Sequence, residues 1–476
     1  MTSSGEVGDP GGAAPATDVI PFRSALRAWF LISLQTFGGP AGQIAVMQRT
    51  LVDEHRWLGQ RRFLHALNYC MLLPGPEAQQ LAIYTGWLLN GVRGGLAAGT
   101  LFVLPGVVAL LGLSALYVGF GDTTVVSGLF LGLAPAVIAI VVQAVIRVSR
   151  RALTSSGLVL LAVAAFVALT LFSVPFPVVV LGAGVLGWVL GRRSLRSADA
   201  GSRSAGGAVS AAAAVEEGQP ATLIPDDQLH QDPPTRRRAL AILGVGLLAW
   251  GVPVLAVALL LGRDSIFVDQ ALFFSGAALV TFGGAYAVLA YVAQQAVEVY
   301  GWLLPGEMVR GLALAETTPG PLIMVVQFVG FVGAYRAPGG LDPWLAAVLG
   351  GLLTTWVTFV PSFVLVLLGA PYVERLRSNR ALTSALTGVT AAVVGVIANL
   401  ALFFAVHTLF ARVDVLTLGP LMLQVPQLGT LQWPALAVTA LALALIFVAR
   451  WSVLRTLGVC AVVGMGLQVL LTALAQ

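Results

Sequence analysis

Two Pro-Gly-Pro triplets stand inside apolar segments of this 476-residue chain, at residues 74–76 and 319–321. A proline cannot donate a backbone hydrogen bond and pushes the residue before it out of the helical region, so each triplet must break a helix. A helix that restarts after the break exposes free N–H groups and the positive end of its dipole. Such a helix end suits an anion better than a cation.

A Phe-Gly-Gly motif precedes each triplet, at residues 37–39 and 282–284, and it also interrupts an apolar segment. Irregular backbone at membrane depth is tolerated only where protein or a water-filled cavity satisfies it. The amides and hydroxyls beside the breaks can donate to oxyanion oxygens. The predicted anion-binding residues are Gly38, Gly39, Pro74, Gly75, Pro76, Gln79, Gly283, Gly284, Thr317, Thr318, Pro319, Gly320, Pro321 and Gln327.

Two carboxylates flank the triplets, Glu77 after the first and Glu316 before the second. An ionised carboxylate would repel a dianion, so both are poor ligands and better candidates for proton coupling. The alternative is that each acid caps a half-helix electrostatically. The sequence leaves both interpretations open.

The composition places this chain in a bilayer, because 58% of the residues are hydrophobic and only 10% are charged. Soluble proteins carry about 25% charged residues, so an ordinary soluble enzyme and a nucleic-acid-binding domain are excluded. All 26 basic residues are arginines, which excludes lysine-dependent covalent and P-loop chemistry. The two cysteines and four histidines show no metal-ligand spacing. We expect neither an enzyme nor a metal or cofactor site.

The chain offers about thirteen apolar stretches of membrane-spanning length. Their lack of alternating polarity argues against a β-barrel, so we predict an all-α polytopic membrane protein. The predicted divisions are a disordered N-terminal tail (1–22), a first transporter repeat (23–190), a flexible polar linker (191–238), an extra segment (239–268) and a second repeat (269–476).

An offset of 245 residues brings the two halves into register. The FGG and PGP motifs and a Trp-Leu pair then coincide, and 13 of the 48 positions between residues 29 and 76 are identical without a gap. Scattered apolar matches would not place three motifs at one offset, so the sequence predicts a duplication.

The two repeats are predicted to have inverted topology. The first hydrophobic segment of the second repeat comes seven segments after that of the first. Because seven is odd, the second repeat would be inverted in the membrane, and the extra segment within 239–268 would produce this inversion. Inverted repeats with broken helices are typical of secondary transporters. With every segment spanning, 19 arginines lie on the linker side and 7 on the other; with re-entrant hairpins at FGG and PGP, the division becomes 22 and 4. Both models make the linker cytoplasmic, and the charge count favours hairpins.

The run FGGPAGQIAVMQ, the run WLGQRRFLHALNYCMLLPGPEAQQLAIYTGW and the following FVLPG resemble the N-terminal signature of the chromate ion transporter (CHR) family. The runs TFGGAYAVLAYV and GWLLPGEMVRGLALAETTPGPLIMVVQFVGF resemble its C-terminal partner. The resemblance covers nearly the whole chain outside the tail and the linker, as in the family's long two-domain form.

The resemblance implies export of chromate across the bacterial cytoplasmic membrane, chromate resistance, and energy from the membrane potential or the proton motive force. Sulfate is an expected competitor, as it is also a tetrahedral dianion. The alternatives are an oxyanion channel or a sulfate-type anion importer on the same scaffold. The expected partners are the oxyanion and the lipid bilayer without nucleic acid, and a homodimer stays open as the oligomeric state.

Overall fold

The computed structural model describes residues 19–37, 39–201, 224, 235–282, 284–372, 380–419 and 421–474. The described chain is mainly helical, and six of its helices are long and apolar enough to cross a membrane. Five further apolar helices are shorter. The predicted all-α polytopic architecture is confirmed, with one small β-hairpin added to it.

The first half contains seven helices. They are α1 (Phe22–Ser33), α2 (Gly39–Gln48) with a π-helical turn (Arg49–Glu54), α3 (Gln60–Cys70), α4 (Glu77–Phe120), α5 (Thr124–Ala152), α6 (Ser156–Phe172) and α7 (Phe176–Gly201). Helix α8 (Arg236–Leu261) follows the linker, most of which lies outside the described residues.

The second half repeats this order. It contains α9 (Ile266–Val280), α10 (Ala285–Gln294) with a π-helical turn (Gln295–Val299), α11 (Glu307–Thr317), a 3-10 turn (Leu322–Met324), α12 (Val325–Arg336), α13 (Pro343–Gly369), α14 (Arg380–Leu409), β1 (Val413–Leu418), β2 (Leu421–Pro426), α15 (Trp433–Leu443) with a π-helical turn (Ala444–Val448), and α16 (Val453–Leu474). The π-helical turns after α2 and α10 stand at equivalent repeat positions, which the 245-residue offset requires.

Helix α4 is a hairpin of two arms rather than one straight helix. Asn90 and Gly91 leave the helical region, Gly91 with a φ of 58°. A Cβ on Gly86, in the first arm, would lie 2.6 Å from the Cβ of Ala98 in the second arm. The arms are therefore antiparallel and closely packed. Helices α12 and α13 form the equivalent pair in the second half.

The segments that carry FGG and PGP fold back on themselves. Tyr69 of α3 and Tyr84 of α4 are in ring contact at 5.0 Å, on opposite sides of the first PGP. Phe273 of α9 contacts Tyr291 of α10 at 5.3 Å across the second FGG. The Arg49 guanidinium donates to Gln35 across the first FGG. The sequence left spanning and hairpin geometries open, and these contacts across both FGG motifs and the first PGP indicate hairpins there.

The hairpins enter the bundle from opposite ends. Asn90 donates to the Ile20 carbonyl at one end, where Gly191 of α7 also meets Ser384 of α14. We call this the linker end. Gln424 of β2 donates to Glu298 at the other, the β-hairpin end. The first-half hairpins start at the linker end and the second-half hairpins at the β-hairpin end, so the tips meet inside the protein.

The two halves interlock through α5 and α14. Helix α5 packs against α15 and α16 of the second half, and α14 packs against α6 and α7 of the first. Small residues permit these crossings: a Cβ on Gly187 would lie 2.7 Å from the Cα of Gly388. The scaffold around the hairpins is consequently shared by both halves.

The β-hairpin is an element that the sequence analysis did not predict. Strands β1 and β2 are antiparallel, with Val413 opposite Pro426 and Leu418 opposite Leu421. Its fourteen-residue run VDVLTLGPLMLQVP is apolar enough to resemble helix, but Gly419 takes a φ of 62° and turns the chain. The hairpin caps one end of the bundle beside α14.

Candidate functional site

The two halves exchange one pair of backbone hydrogen bonds at the hairpin tips. The Gly75 N–H donates to the Thr281 carbonyl at 2.8 Å, and the Gly320 N–H donates to the Thr36 carbonyl at 2.9 Å. These bonds are related by the repeat, because the offset of 245 converts one into the other. Each PGP tip is therefore joined to the FGG tip of the opposite half, and all four motifs meet in one region.

The backbone conformation at the centre of each triplet requires glycine. Gly75 has a φ of 124° and Gly320 a φ of 117°, values that residues with a Cβ rarely adopt. A Cβ on Gly75 would also lie 2.8 Å from the Ser362 hydroxyl, and one on Gly320 would lie 3.2 Å from the Gly106 Cα. Both triplets are thus closely packed against the opposite half.

The elements that support the tips are themselves repeat-related. Gly106 follows Pro105 in the second arm of α4, and Ser362 follows Pro361 in α13. A proline inside a helix removes one backbone hydrogen bond and bends the helix. Each bend faces the PGP tip of the other half.

Four helix N-termini face the region where the tips meet. Helices α4 and α10 and the 3-10 turn at Leu322–Met324 begin directly after a motif, and α2 begins at the last glycine of the first FGG motif. Among the described residues, no side chain caps the helix starts at Pro76, Gly284 or Pro321. The first N–H groups of a helix have no intrahelical partner, and the helix dipole adds positive potential there. The arrangement can bind an anion through backbone N–H groups and helix dipoles.

Amide side chains of the first half surround the tips. Gln79 is fully buried, and neither end of its amide has a hydrogen-bond partner among the described residues. Gln80 donates to the Pro74 carbonyl and Gln43 donates to the Gly320 carbonyl, and the Oε1 atom of each is unpartnered there. A buried amide without partners costs free energy, so the Gln79 side chain is available to a polar ligand.

The polar residues of the second half are bonded within the protein. The Thr317 and Thr318 hydroxyls donate to the Leu314 and Ala315 carbonyls of their own helix. Gln327 donates to the Val107 carbonyl in α4, and its Oε1 accepts from the Thr355 hydroxyl in α13. Gln327 thereby ties α12 to two neighbouring helices. The binding roles predicted for these residues stay predictions.

The two carboxylates occupy different surroundings. Glu316 is 1% exposed and accepts a hydrogen bond from the Tyr286 hydroxyl at 2.6 Å, while its other oxygen is unpartnered among the described residues. Glu77 is half-buried, and its Oε1 lies 3.9 Å from the position that a Cβ on Gly284 would take. Glu77 therefore borders the FGG tip of the opposite half.

The structure adds two residues that the sequence analysis did not select, Gln43 and Tyr286. Gln43 reaches the second PGP, and the Tyr286 hydroxyl lies 3.8 Å from the position of a Cβ on Gly39. Both lie within one turn after an FGG motif, a spacing that could have identified them. Gly38 and Gly283 lie outside the described residues. Among those described, no three His, Cys, Asp or Glu side chains are grouped to hold a metal ion.

Comparison with known proteins identifies the scaffold. The family model described as chromate transporter matches residues 24–188 and again 268–465. A chromate transport protein of Pseudomonas aeruginosa is 32% identical over 400 residues, covering 83% of each chain. A chromate transport protein of Cupriavidus metallidurans is 28% identical over 395 residues, covering 83% of this chain and 85% of the relative.

An uncharacterized transporter of Methanocaldococcus jannaschii is 23% identical over 375 residues, covering 79% of this chain and 82% of the relative. No solved structure matches the chain. The double family match spans both hairpin systems, and the relatives are named as transport proteins rather than enzymes. The chain is a transport protein that belongs to the chromate transporter family.

Proposed function

We propose that this protein exports chromate, or a related tetrahedral oxyanion such as sulfate, from the cytoplasm through the region where the four tips meet. The observation that carries the proposal is the set of four helix N-termini that begin at these tips, three of them without a side-chain cap. Free N–H groups and helix dipoles bind tetrahedral oxyanions in many proteins. The names of two relatives give chromate as the first substrate to test.

The membrane potential is sufficient to drive such export. Moving one charge through 100 mV is worth about 2.3 kcal/mol, so a dianion that leaves a negative interior gains roughly twice that. Proton antiport through Glu77 would add to this driving force. In our proposal, Glu316 is the weaker coupling candidate because Tyr286 already occupies one of its oxygens.

The decisive experiment is chromate flux in proteoliposomes, with the potential and the pH gradient imposed separately. We expect saturable flux with counterflow that responds to the potential alone. Flux without saturation or counterflow would favour the channel alternative, and accumulation towards the linker end against the potential would favour an importer. A wild-type protein that moves neither chromate nor sulfate would refute the proposal.

Selectivity follows from the same chemistry. N–H groups and amides recognise charge and tetrahedral shape, which chromate and sulfate share. Sulfate should therefore inhibit chromate flux at concentrations of the same order of magnitude. Chromate flux that resists a large sulfate excess would mean that the site contains a discriminating group beyond the tips.

The direction of export requires the linker end to be cytoplasmic. In the hairpin topology predicted from the sequence, 22 of the 26 arginines fall on the linker side, as the positive-inside rule expects of a cytoplasmic face. A cysteine introduced at Ser204, in the linker, should react with an impermeant reagent only after permeabilisation. The native Cys70 and Cys460 are buried, so their background is low. Labelling of Ser204→Cys in intact cells would reverse the orientation.

A further inference from the structure

A cavity of about 750 Å³ opens at the β-hairpin end, apart from the four tips. It extends along α5 from Ser127 to Pro135 and is bordered by the start of α11 and the end of α14. Three basic side chains from separate elements line it: Arg310, His407 and Arg412. None of these three residues belongs to the site at the tips.

The lining carries an excess of positive charge. Its single acid is Asp414, and the Gln427 amide lies 3.2 and 2.9 Å from the two carboxylate oxygens. Arg310 donates to the Tyr117 hydroxyl at 3.4 Å, and neither Arg310 nor Arg412 forms an ion pair among the described residues. Arg310 also lies over the Phe130 ring, and the Tyr117 hydroxyl links it to Glu307, whose carboxylate is already paired with Arg336. Two guanidinium groups without an ion pair of their own and one hydrogen-bonded carboxylate suit an anionic occupant.

A second cavity, of about 510 Å³, lies at the equivalent place of the linker end. It is bordered by α3, the end of α5 and the start of α14. Its basic residues are His65 and Arg151, and none of the described residues that line it is acidic. His65 stands at the repeat position of Arg310, since the two differ by 245 residues. The duplication has thus placed a basic cavity at each end of the protein.

The two cavities approach the tips from opposite sides. The linker-end cavity follows α3 as far as Leu72, two residues before Pro74. The β-hairpin cavity reaches α11 at Arg310, seven residues before Thr317, which is about 10 Å of helix. Helices α5 and α14 line both cavities and so connect the two ends.

We propose that these cavities are the two mouths of the anion pathway. Arg310 and Arg412 form an anion-binding site in the mouth at the β-hairpin end. This proposal rests on the proposed transport of a tetrahedral oxyanion and specifies its route. The guanidinium groups raise the local anion concentration and exchange the anion with the tips. Arg151 plays the corresponding part in the linker-end mouth.

The test measures KM separately for each face in oriented proteoliposomes of neutral phosphatidylcholine, with chromate as the probe. The double variant Arg310→Gln/Arg412→Gln should raise KM at the β-hairpin face about three- to tenfold at low ionic strength, with kcat retained. The effect should shrink at physiological ionic strength, where the Debye length is about 8 Å. Asp414→Asn should lower the same KM, and Arg310→Lys, which keeps the positive charge, should leave KM close to the wild-type value.

Two controls separate the mouths from general effects of charge. Arg263→Gln removes an exposed arginine from the α8–α9 turn, outside the cavity lining, and should change neither KM. Arg151→Gln should raise KM at the linker face only. An unchanged KM in the double variant at low ionic strength would overturn the proposal, as would equal changes at both faces.

The remaining outcomes distinguish a lipid site, a failure of the proposed function and a failure of the proposed mouth. An effect that appears only when phosphatidylglycerol is added to the vesicles would assign the cavity to a lipid headgroup and overturn the proposal. Wild-type protein without chromate or sulfate flux would refute the proposed function itself. Wild-type flux with an unaltered double variant would refute only the mouth at the β-hairpin end.

Discussion

The first and second PGP hairpins follow the same backbone path but present different side chains. The central glycines have φ values within about ten degrees of each other, and each N–H donates to the opposite FGG segment. Yet Gln79 in the first half corresponds to Met324 in the second, and Glu77 corresponds to Leu322. The backbone contribution is therefore symmetric, and we expect side-chain recognition and coupling to belong mainly to the first half.

The bases of the hairpins differ as well. In the second half Arg336 binds Glu307 through two hydrogen bonds of 2.7 and 2.8 Å, and the Tyr117 hydroxyl donates to the same carboxylate. The repeat positions of Glu307 and Arg336 in the first half are Arg62 and Gly91, which cannot form this ion pair. The second hairpin is therefore fastened to α4 and α12, and the first lacks this fastening.

The largest expected effect tests the symmetric backbone. Gly75→Val and Gly320→Val should each reduce anion flux about 100-fold, because a β-branched residue at positive φ is strained by about 1–3 kcal/mol and about 2.8 kcal/mol corresponds to that factor. Gly112→Val is the control, since a Cβ there meets nothing within 4 Å. Flux is measured on monodisperse protein. Near-normal flux in either variant would show that the two tips are not equivalent.

The next effect tests the fastening of the second hairpin. Glu307→Gln should lower the free energy of unfolding by about 2 kcal/mol, less than a fully buried ion pair would lose because Arg336 is 38% exposed. Arg62→Gln, at the same repeat position, should change it by less than about 0.5 kcal/mol. Thermal or denaturant unfolding measures both. Equal losses would show that the hairpin bases are energetically alike.

A tenfold effect tests whether recognition lies in the first half. Gln79→Leu should weaken chromate or sulfate binding about tenfold, which corresponds to the loss of one hydrogen bond. The ligand-free protein should be as stable as the wild type or more so, since the buried Gln79 amide has no partner among the described residues. Calorimetry and thermal shift report the two quantities.

The matched controls for Gln79→Leu are variants of the second half. Met324→Leu changes the repeat-equivalent residue and should leave affinity unchanged. Gln327→Leu removes bonds to α4 and α13, and should instead reduce stability by about 1–3 kcal/mol. An affinity loss in Gln327→Leu as large as that in Gln79→Leu would place a ligand contact in the second half.

The smallest effect concerns coupling. Glu77→Gln should retain anion binding and flatten the pH dependence of transport, because Glu77 borders the opposite FGG tip and is only half-buried. Glu316→Gln should leave most of that dependence in place. An unchanged pH profile in Glu77→Gln, with a stability loss of about 0.5–1 kcal/mol, would assign Glu77 to helix capping.

Side-chain partners were harder to predict than motifs. Thr317 and Gln327 have the right chemistry for an anion and the right place in the sequence, but both are bonded to carbonyls of the protein. Gln43 and Tyr286, beyond the predicted set, reach the tips. A polar side chain near a helix break has several carbonyl partners within reach, and the packing of neighbouring helices selects among them.

The sequence by itself determined the membrane class, the duplication and the four helix breaks, because proline and glycine act through local backbone geometry and apolar length is read directly from composition. Only the tertiary structure decided that each PGP tip bonds to the FGG segment of the other half, and that α4 folds into two arms. Those choices depend on hydrogen bonds between residues about 200 positions or more apart, or on one turn inside a continuous apolar run. No local pattern specifies either, because an N–H group can donate to any carbonyl that the fold brings within about 3 Å.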